Sequence, residues 1–149
     1  MSPPPIYYFI AVDRNMVGKA LEGLPDYHVK NGLPLMKDEF HITLLFRTDF
    51  RKYPVLHESL ERNIGRVVPF EIHGIYWNDD ISAFGVTLAD EEHLAHPVNP
   101  THITCARRSA DVSPVMSTNM IRDGSARYEN VRGGPISGYG KISVFHGKR

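Results

Sequence analysis

Three polar residues, Asn78-Asp79-Asp80, stand between two long runs rich in β-branched and aromatic side chains, Val67 to Trp77 and Ile81 to Leu88. A connection this short permits only an antiparallel return, so a hairpin is expected. In the second run Phe84, Val86 and Leu88 alternate roughly with Ser82, Gly85 and Thr87, which points to one covered face. The hairpin commits the chain to an antiparallel sheet, and further segments share its character. Ile6 to Val12 (IYYFIAV) is nearly all apolar and reads as a buried central strand. Phe40 to Phe46 (FHITLLF), Thr101 to Ala106 (THITCA) and Tyr139 to Phe145 (YGKISVF) supply three more strands. Helix signals are fewer. Met16 to Leu21 is a short candidate ended near Gly23 and Pro25. Pro54 to Arg66 is the best one, with Pro54 in its first turn and Leu56, Leu60 and Ile64 on one face. Asp26 to Pro34 and Asp90 to Pro100 read as turn or loop, and Arg107 to Gly134 as loop with one helical turn near Met116 to Ile121. The expected fold is α+β, residues 1–149 forming a single domain with helices covering a strand-heavy sheet.

Composition removes several classes of function. Formal net charge is zero, so a global electrostatic grip on long nucleic acid is not expected, although Arg and Lys can still line one cleft. The one cysteine, Cys105, rules out an internal disulfide framework and lies in an apolar run, where a buried inert thiol is expected. No apolar run approaches the roughly 18 residues of a membrane span. Met1 to Pro5 has no signal-like character, and a cytoplasmic setting is expected.

Two segments share a grammar. Phe40-His41-Ile42-Thr43-Leu44 and Thr101-His102-Ile103-Thr104-Cys105 each place His and Thr two apart within an apolar strand. Successive strand side chains point to opposite faces, so His41 and Thr43 share one face while Ile42 and Leu44 enter the core, and likewise for His102 and Thr104. Neighbouring strands of this kind offer two imidazoles and two hydroxyls to one cleft. That set suits phosphodiester chemistry. A neutral His takes a proton, a protonated one gives a proton to the leaving oxygen, and the hydroxyls donate to phosphate oxygens. With 8 histidines in the chain, chance alone gives roughly 0.3 His-x-Thr triplets. Taken singly, each motif reads as a satisfied histidine on a half-exposed sheet face.

The pair resembles the 2H phosphoesterase superfamily, named for paired His-x-Thr/Ser motifs. The likeness runs through IYYFIAVD, FHITLLF, the central hairpin, THITCA, the segment Val112 to Met120, and Pro135 to Gly138 before the last strand. It is most similar to the cyclic phosphodiesterase domains of plant and fungal tRNA ligases and of the myelin cyclic-nucleotide phosphodiesterase. The resemblance implies a bilobal fold, antiparallel sheets flanked by helices around a central groove, with one motif from each lobe. It implies metal-independent hydrolysis of 2′,3′-cyclic phosphates of nucleotides or RNA ends, with no cofactor. His41 and His102 would be the acid/base pair and Thr43 and Thr104 the phosphate clamps. Which histidine is the base stays open. No attached ligase or kinase domain is expected, and small viral or phage 2H enzymes that cleave cyclic di- or oligonucleotide immune signals are an alternative. A non-catalytic RNA-end binding module is another. A plain scaffold with fortuitous motifs is a fourth reading, in which the two histidines would lie far apart.

A nucleotide substrate calls for an aromatic or arginine platform. Candidates are Tyr7 or Tyr8, Trp77 and Tyr139, with core packing the alternative for each. Arg47, Arg107 and Arg108 stand just beyond the motifs as candidate phosphate contacts. His93 and His96 near Glu91 and Glu92 lack a third ligand at supporting spacing, so no metal site is expected. Gly133-Gly134 has no phosphate-loop spacing.

Overall fold

The computed structural model describes residues 4–22, 40–94, 100–109, 111–113 and 115–147. The expected turn over Asp26 to Pro34 and the residue His96 lie outside them. Seven strands form one sheet: β1 Tyr7–Val12, β2 Phe40–Phe46, β3 Val67–Trp77, β4 Ile81–Leu88, β5 His102–Arg107, β6 Arg127–Asn130 and β7 Ile136–Phe145. Among the described residues the helices are α1 Arg14–Glu22, α2 Pro54–Arg62, a single turn α3 Glu91–Leu94, and α4 Val115–Arg122, with a 3-10 turn at Arg47–Asp49. The strands run β4-β5-β2-β1-β7-β3-β6, and β3 also pairs with β4, which closes six of them into a ring. Every pairing is antiparallel. The expected α+β fold with antiparallel strands is present, and the described strands close into one barrel.

Closure rests on one long strand. The first half of β3 pairs with β7, its second half with β6, and most of its length with β4. On the far side β7 crosses β1 so closely that a Cβ on Gly140 would sit 2.0 Å from the Ala11 carbonyl oxygen. Only glycine permits that approach.

The barrel is laid out in rungs. Ile142, Ile10, Ile42, Ile103, Phe84 and Ile75 pair in sequence across β7, β1, β2, β5, β4 and β3, and all are buried. Each such side chain withdrawn from water contributes about 1.5–3 kcal/mol. α1 and α2 add Val17, Ala20 and Leu60 to the same cluster. α1 begins at Asp13, whose Oδ1 accepts from the Asn15 N–H at 2.7 Å, the work of a helix-capping aspartate. α2 ends at Arg62, four residues short of the expected end. Gly65 turns there with φ 89° and its N–H bonds the Ile142 carbonyl, drawing the chain to β7 and leaving Ile64 exposed. Within the expected loop after Asp90, α3 delivers the buried Leu94 to the core. β6 was not expected: Arg-Tyr-Glu-Asn carries no alternation, and the strand exists because β3 offers it an edge.

Candidate active site

The two His-Ile-Thr segments are neighbours. β2 and β5 pair antiparallel at Ile42 and Ile103. Counting outward from that pair sets His41 opposite Thr104 and Thr43 opposite His102. Directly opposed Cβ atoms in such a ladder stand about 5 Å apart and diagonal ones about 7–8 Å. The four side chains therefore form a compact diamond on the face turned away from the isoleucine rung, each histidine beside the other strand's threonine. A scaffold with distant histidines is overturned.

The rungs carrying them extend across the barrel. Ser143, Phe9 and Thr43 pair in one line, continued by His102, Gly85 and Gly74. Ala11 and His41 begin the other, continued by Thr104, Ala83 and Tyr76. The residues flanking the diamond on β4 are small for a reason. A Cβ on Gly85 would meet the His73 ring at 2.6 Å and the Tyr76 ring at 2.8 Å.

His102 is only 9% exposed. Its Nδ1 lies 2.6 Å from the Pro100 carbonyl oxygen, which can only accept, so Nδ1 carries the hydrogen and Nε2 of the neutral ring is bare. Burial pushes the imidazole below the ordinary histidine range; the Pro100 bond draws it partly back, and nearby His41 adds to the lowering. At neutral pH the ring is thus held as an acceptor. Ser117 of α4 reaches it, Oγ standing 3.1 Å from His102 Nε2 and 2.8 Å from Thr104 Oγ1. Thr118 Oγ1 is 3.5 Å from the same nitrogen. α4 is held by a second apolar cluster in which Met116, Met120 and Ile121 pack on Ile81, Ala83 and Tyr76. Ser117 is three residues before Met120 and so shares its face.

His41 stands in a different setting. Its ring packs 5.4 Å from Phe9, edge-on, and 5.7 Å from Tyr7. Tyr7 also contacts Phe46 at 5.4 Å and stacks on Phe145 at 5.1 Å. These rings make an aromatic shelf beside one histidine, and Phe46 is 43% exposed.

Both motif strands carry a bulge at the same place. Tyr8 pairs with Leu45 and Phe9 with Thr43, so Leu44 is the extra residue; Ser82 pairs with Ala106 and Ala83 with Thr104, so Cys105 is extra. Strict alternation sends Phe46 to the core side with Ile42 and Leu44, and Arg107 with Ile103 and Cys105. The inserted residue reverses this, and both side chains emerge on the motif face. The two segments match residue for residue, His-Ile-Thr, two buried residues, then Phe46 in one and Arg107 in the other.

Of the expected substrate contacts, Arg107 is on the motif face, and its Nη1 donates to the Val112 carbonyl at 3.1 Å, tying down the approach to α4. Tyr8 is elsewhere. It is fully buried on the core face, its hydroxyl donating to Glu61 Oε2 and lying 3.1 Å from His57 Nε2, because the β1 alternation turns Tyr7 and Phe9 outward. Trp77 is a core residue at the end of β3. Tyr139 is 70% exposed, but it lies four residues along β7 from Ser143, about 13 Å from that rung. Arg108 is engaged by the hairpin turn, with Asp80 at 2.8 Å and the Asp79 carbonyl at 3.0 Å. Sequence reasoning missed Phe9, Phe46, Ser117 and Thr118. The bulges hid Phe46, and no local pattern marks Ser117. Cys105 is buried, as expected.

No three His, Cys, Asp or Glu side chains gather as a metal-binding group among the described residues, and His93 Nδ1 pairs with Asp90 at 2.6 Å. No helix among them is long and apolar enough to cross a membrane.

A closed antiparallel barrel of this kind is shared with a solved structure described as a fungal RNA kinase, with TM-score 0.70 and 15% identity over 93% of this chain. The match covers 44% of that chain, so this one spans less than half its length. No curated protein sequence matches. Residues 2–139 match the model of the fungal tRNA ligase phosphodiesterase domain, and the chain belongs to that family.

Proposed function

We propose that this protein hydrolyses 2′,3′-cyclic phosphates of nucleotides or RNA ends, with its two histidines as acid and base and without need of a metal ion. The observation that carries the reading is the antiparallel diamond, in which each histidine stands beside the threonine of the other strand. A phosphate resting on it meets a base on one side, an acid on the other, and a hydroxyl next to each. His102, with a bare Nε2 and a lowered proton affinity, is the base. It takes a proton from water, and the resulting hydroxide attacks phosphorus. The bond from phosphorus to one ribose oxygen breaks, and His41 protonates that oxygen as it leaves. Thr43 and Thr104 donate to the non-bridging oxygens as charge builds on them. The shelf of Tyr7, Phe9 and Phe46 beside His41 offers ring faces on which a nucleobase stacks. Arg107 gives the opposite corner a positive charge.

The test is hydrolysis in EDTA of 2′,3′-cyclic mononucleotides, an RNA ending in a cyclic phosphate, and cyclic dinucleotides. Wild type is compared with His41→Ala and His102→Ala. Turnover of the cyclic phosphates that survives chelation and drops on the order of 10²–10⁴-fold in each variant is expected. Preference for cyclic dinucleotides would replace RNA ends by a signalling nucleotide as substrate. Binding of RNA ends without turnover would leave a recognition module.

A further inference from the structure

We propose that Ser117 is a positioning residue that couples the protonation of His102 to the direction in which Thr104 donates its hydrogen bond. The inference rests on the acid–base reading above. Ser117 Oγ bridges the two second-motif side chains, 3.1 Å from His102 Nε2 and 2.8 Å from Thr104 Oγ1, and Ser117 is completely buried. No bulk water competes for these bonds.

The direction of the chain follows from His102. While its ring is neutral, Nδ1–H is committed to the Pro100 carbonyl and Nε2 can only accept. Ser117 then donates to Nε2, and its oxygen accepts from Thr104. Capture of a proton reverses every link. Nε2–H donates to Ser117, Ser117 donates to Thr104, and the hydrogen on Thr104 is released from the chain toward the open face, where Thr104 is half-exposed. Nε2 has one lone pair, so Ser117 turns its hydrogen away to Thr104 as the captured proton, which comes from the nucleophile, arrives on the ring. The other two hydrogens only rotate about their own C–O bonds, and no further group gains or loses one. Thr104 thus turns its donor to phosphate at the moment negative charge builds there.

The titratable groups that face His102 can be named among the described residues. On β2, His41 is the titratable group acting on His102 among the described residues. β4 contributes Gly85 opposite it, beyond which stand His73 and Tyr76 of β3. α4 contributes the hydroxyls of Ser117 and Thr118.

The experiment follows the His102 ring by NMR across pH in wild type, Ser117→Ala, Ser117→Cys and Ser117→Thr, with hydrolysis measured on the same samples. A hydrogen bond to the charged ring is stronger than one to the neutral ring, so losing the hydroxyl costs the imidazolium more. The titration midpoint is expected to move down by roughly 0.5–1 pH unit in Ser117→Ala and Ser117→Cys, and to stay near wild type in Ser117→Thr. The acid limb of the rate profile should move with it. kcat should fall on the order of tenfold or more with KM nearly unchanged. Adding Thr104→Val to Ser117→Ala should cost little beyond the larger single loss, since both break one chain. An unmoved midpoint, or losses that multiply in the double variant, overturns the coupling. Should His102→Ala keep wild-type turnover, the acid–base reading fails by itself, and the NMR midpoints alone decide whether Ser117 couples to the ring.

Discussion

His102 shows how one residue's burial sets both chemistry and stability. Its folded-state proton affinity lies below the ordinary 6.5 because the nearly enclosed ring is costly to charge. The unfolded chain takes up the proton first as pH falls. The contribution to stability is therefore complete above pH 6.5 and is lost as pH falls from there through the lower folded value. Urea unfolding midpoints of the wild type should drop on acidification across that window. Those of His102→Gln, which has no such titration, should drop less; parallel curves would count against a buried neutral ring.

At the scale of the element, the two bulges carry the most information. Leu44 and Phe46 are two apart on one strand, and simple alternation gives them the same environment. The extra residue separates them: Leu44 is fully buried and Phe46 is 43% exposed. Leu44→Ala should destabilise by about 2–5 kcal/mol. Phe46→Ala should leave the thermal midpoint almost unchanged and act on substrate instead, raising KM for cyclic nucleotides roughly tenfold, in line with the loss of one stacked base. Thermal melts and steady-state kinetics on the two variants separate these outcomes. A costly Phe46→Ala melt would place its ring in the core and remove the shelf.

Across the whole molecule, closure of the ring depends on close backbone approach as well as on burial. Gly140→Ala would drive a methyl group into the Ala11 carbonyl and the Ile10 side chain. A loss of about 1–3 kcal/mol or more is expected, a fall in Tm of several degrees for a chain of this size. Gly18, inside α1 with open space where a Cβ would stand, makes the control. There alanine should stabilise by about 0.5–1 kcal/mol, since glycine weakens a helix interior. Equal effects at the two positions would show that β7 does not need its approach to β1.

Much of this protein was determined by the sequence alone. Six of the seven described strands announced themselves through β-branched and apolar runs, the hairpin through its three-residue connection, and the four motif residues through two copies of His-Ile-Thr in alternating strands. Those signals are local, and a strand's two faces follow from its own period. Only the tertiary structure decided which strands lie side by side. That choice put the motifs antiparallel about Ile42 and Ile103, inserted a bulge after each threonine, and so brought out Phe46 and Arg107 while Tyr8 and Trp77 went inward. It also set Ser117, thirteen residues beyond Thr104 on α4, against His102. Register, bulges and helix docking depend on contacts between residues distant in the chain, and no periodicity in the sequence records them.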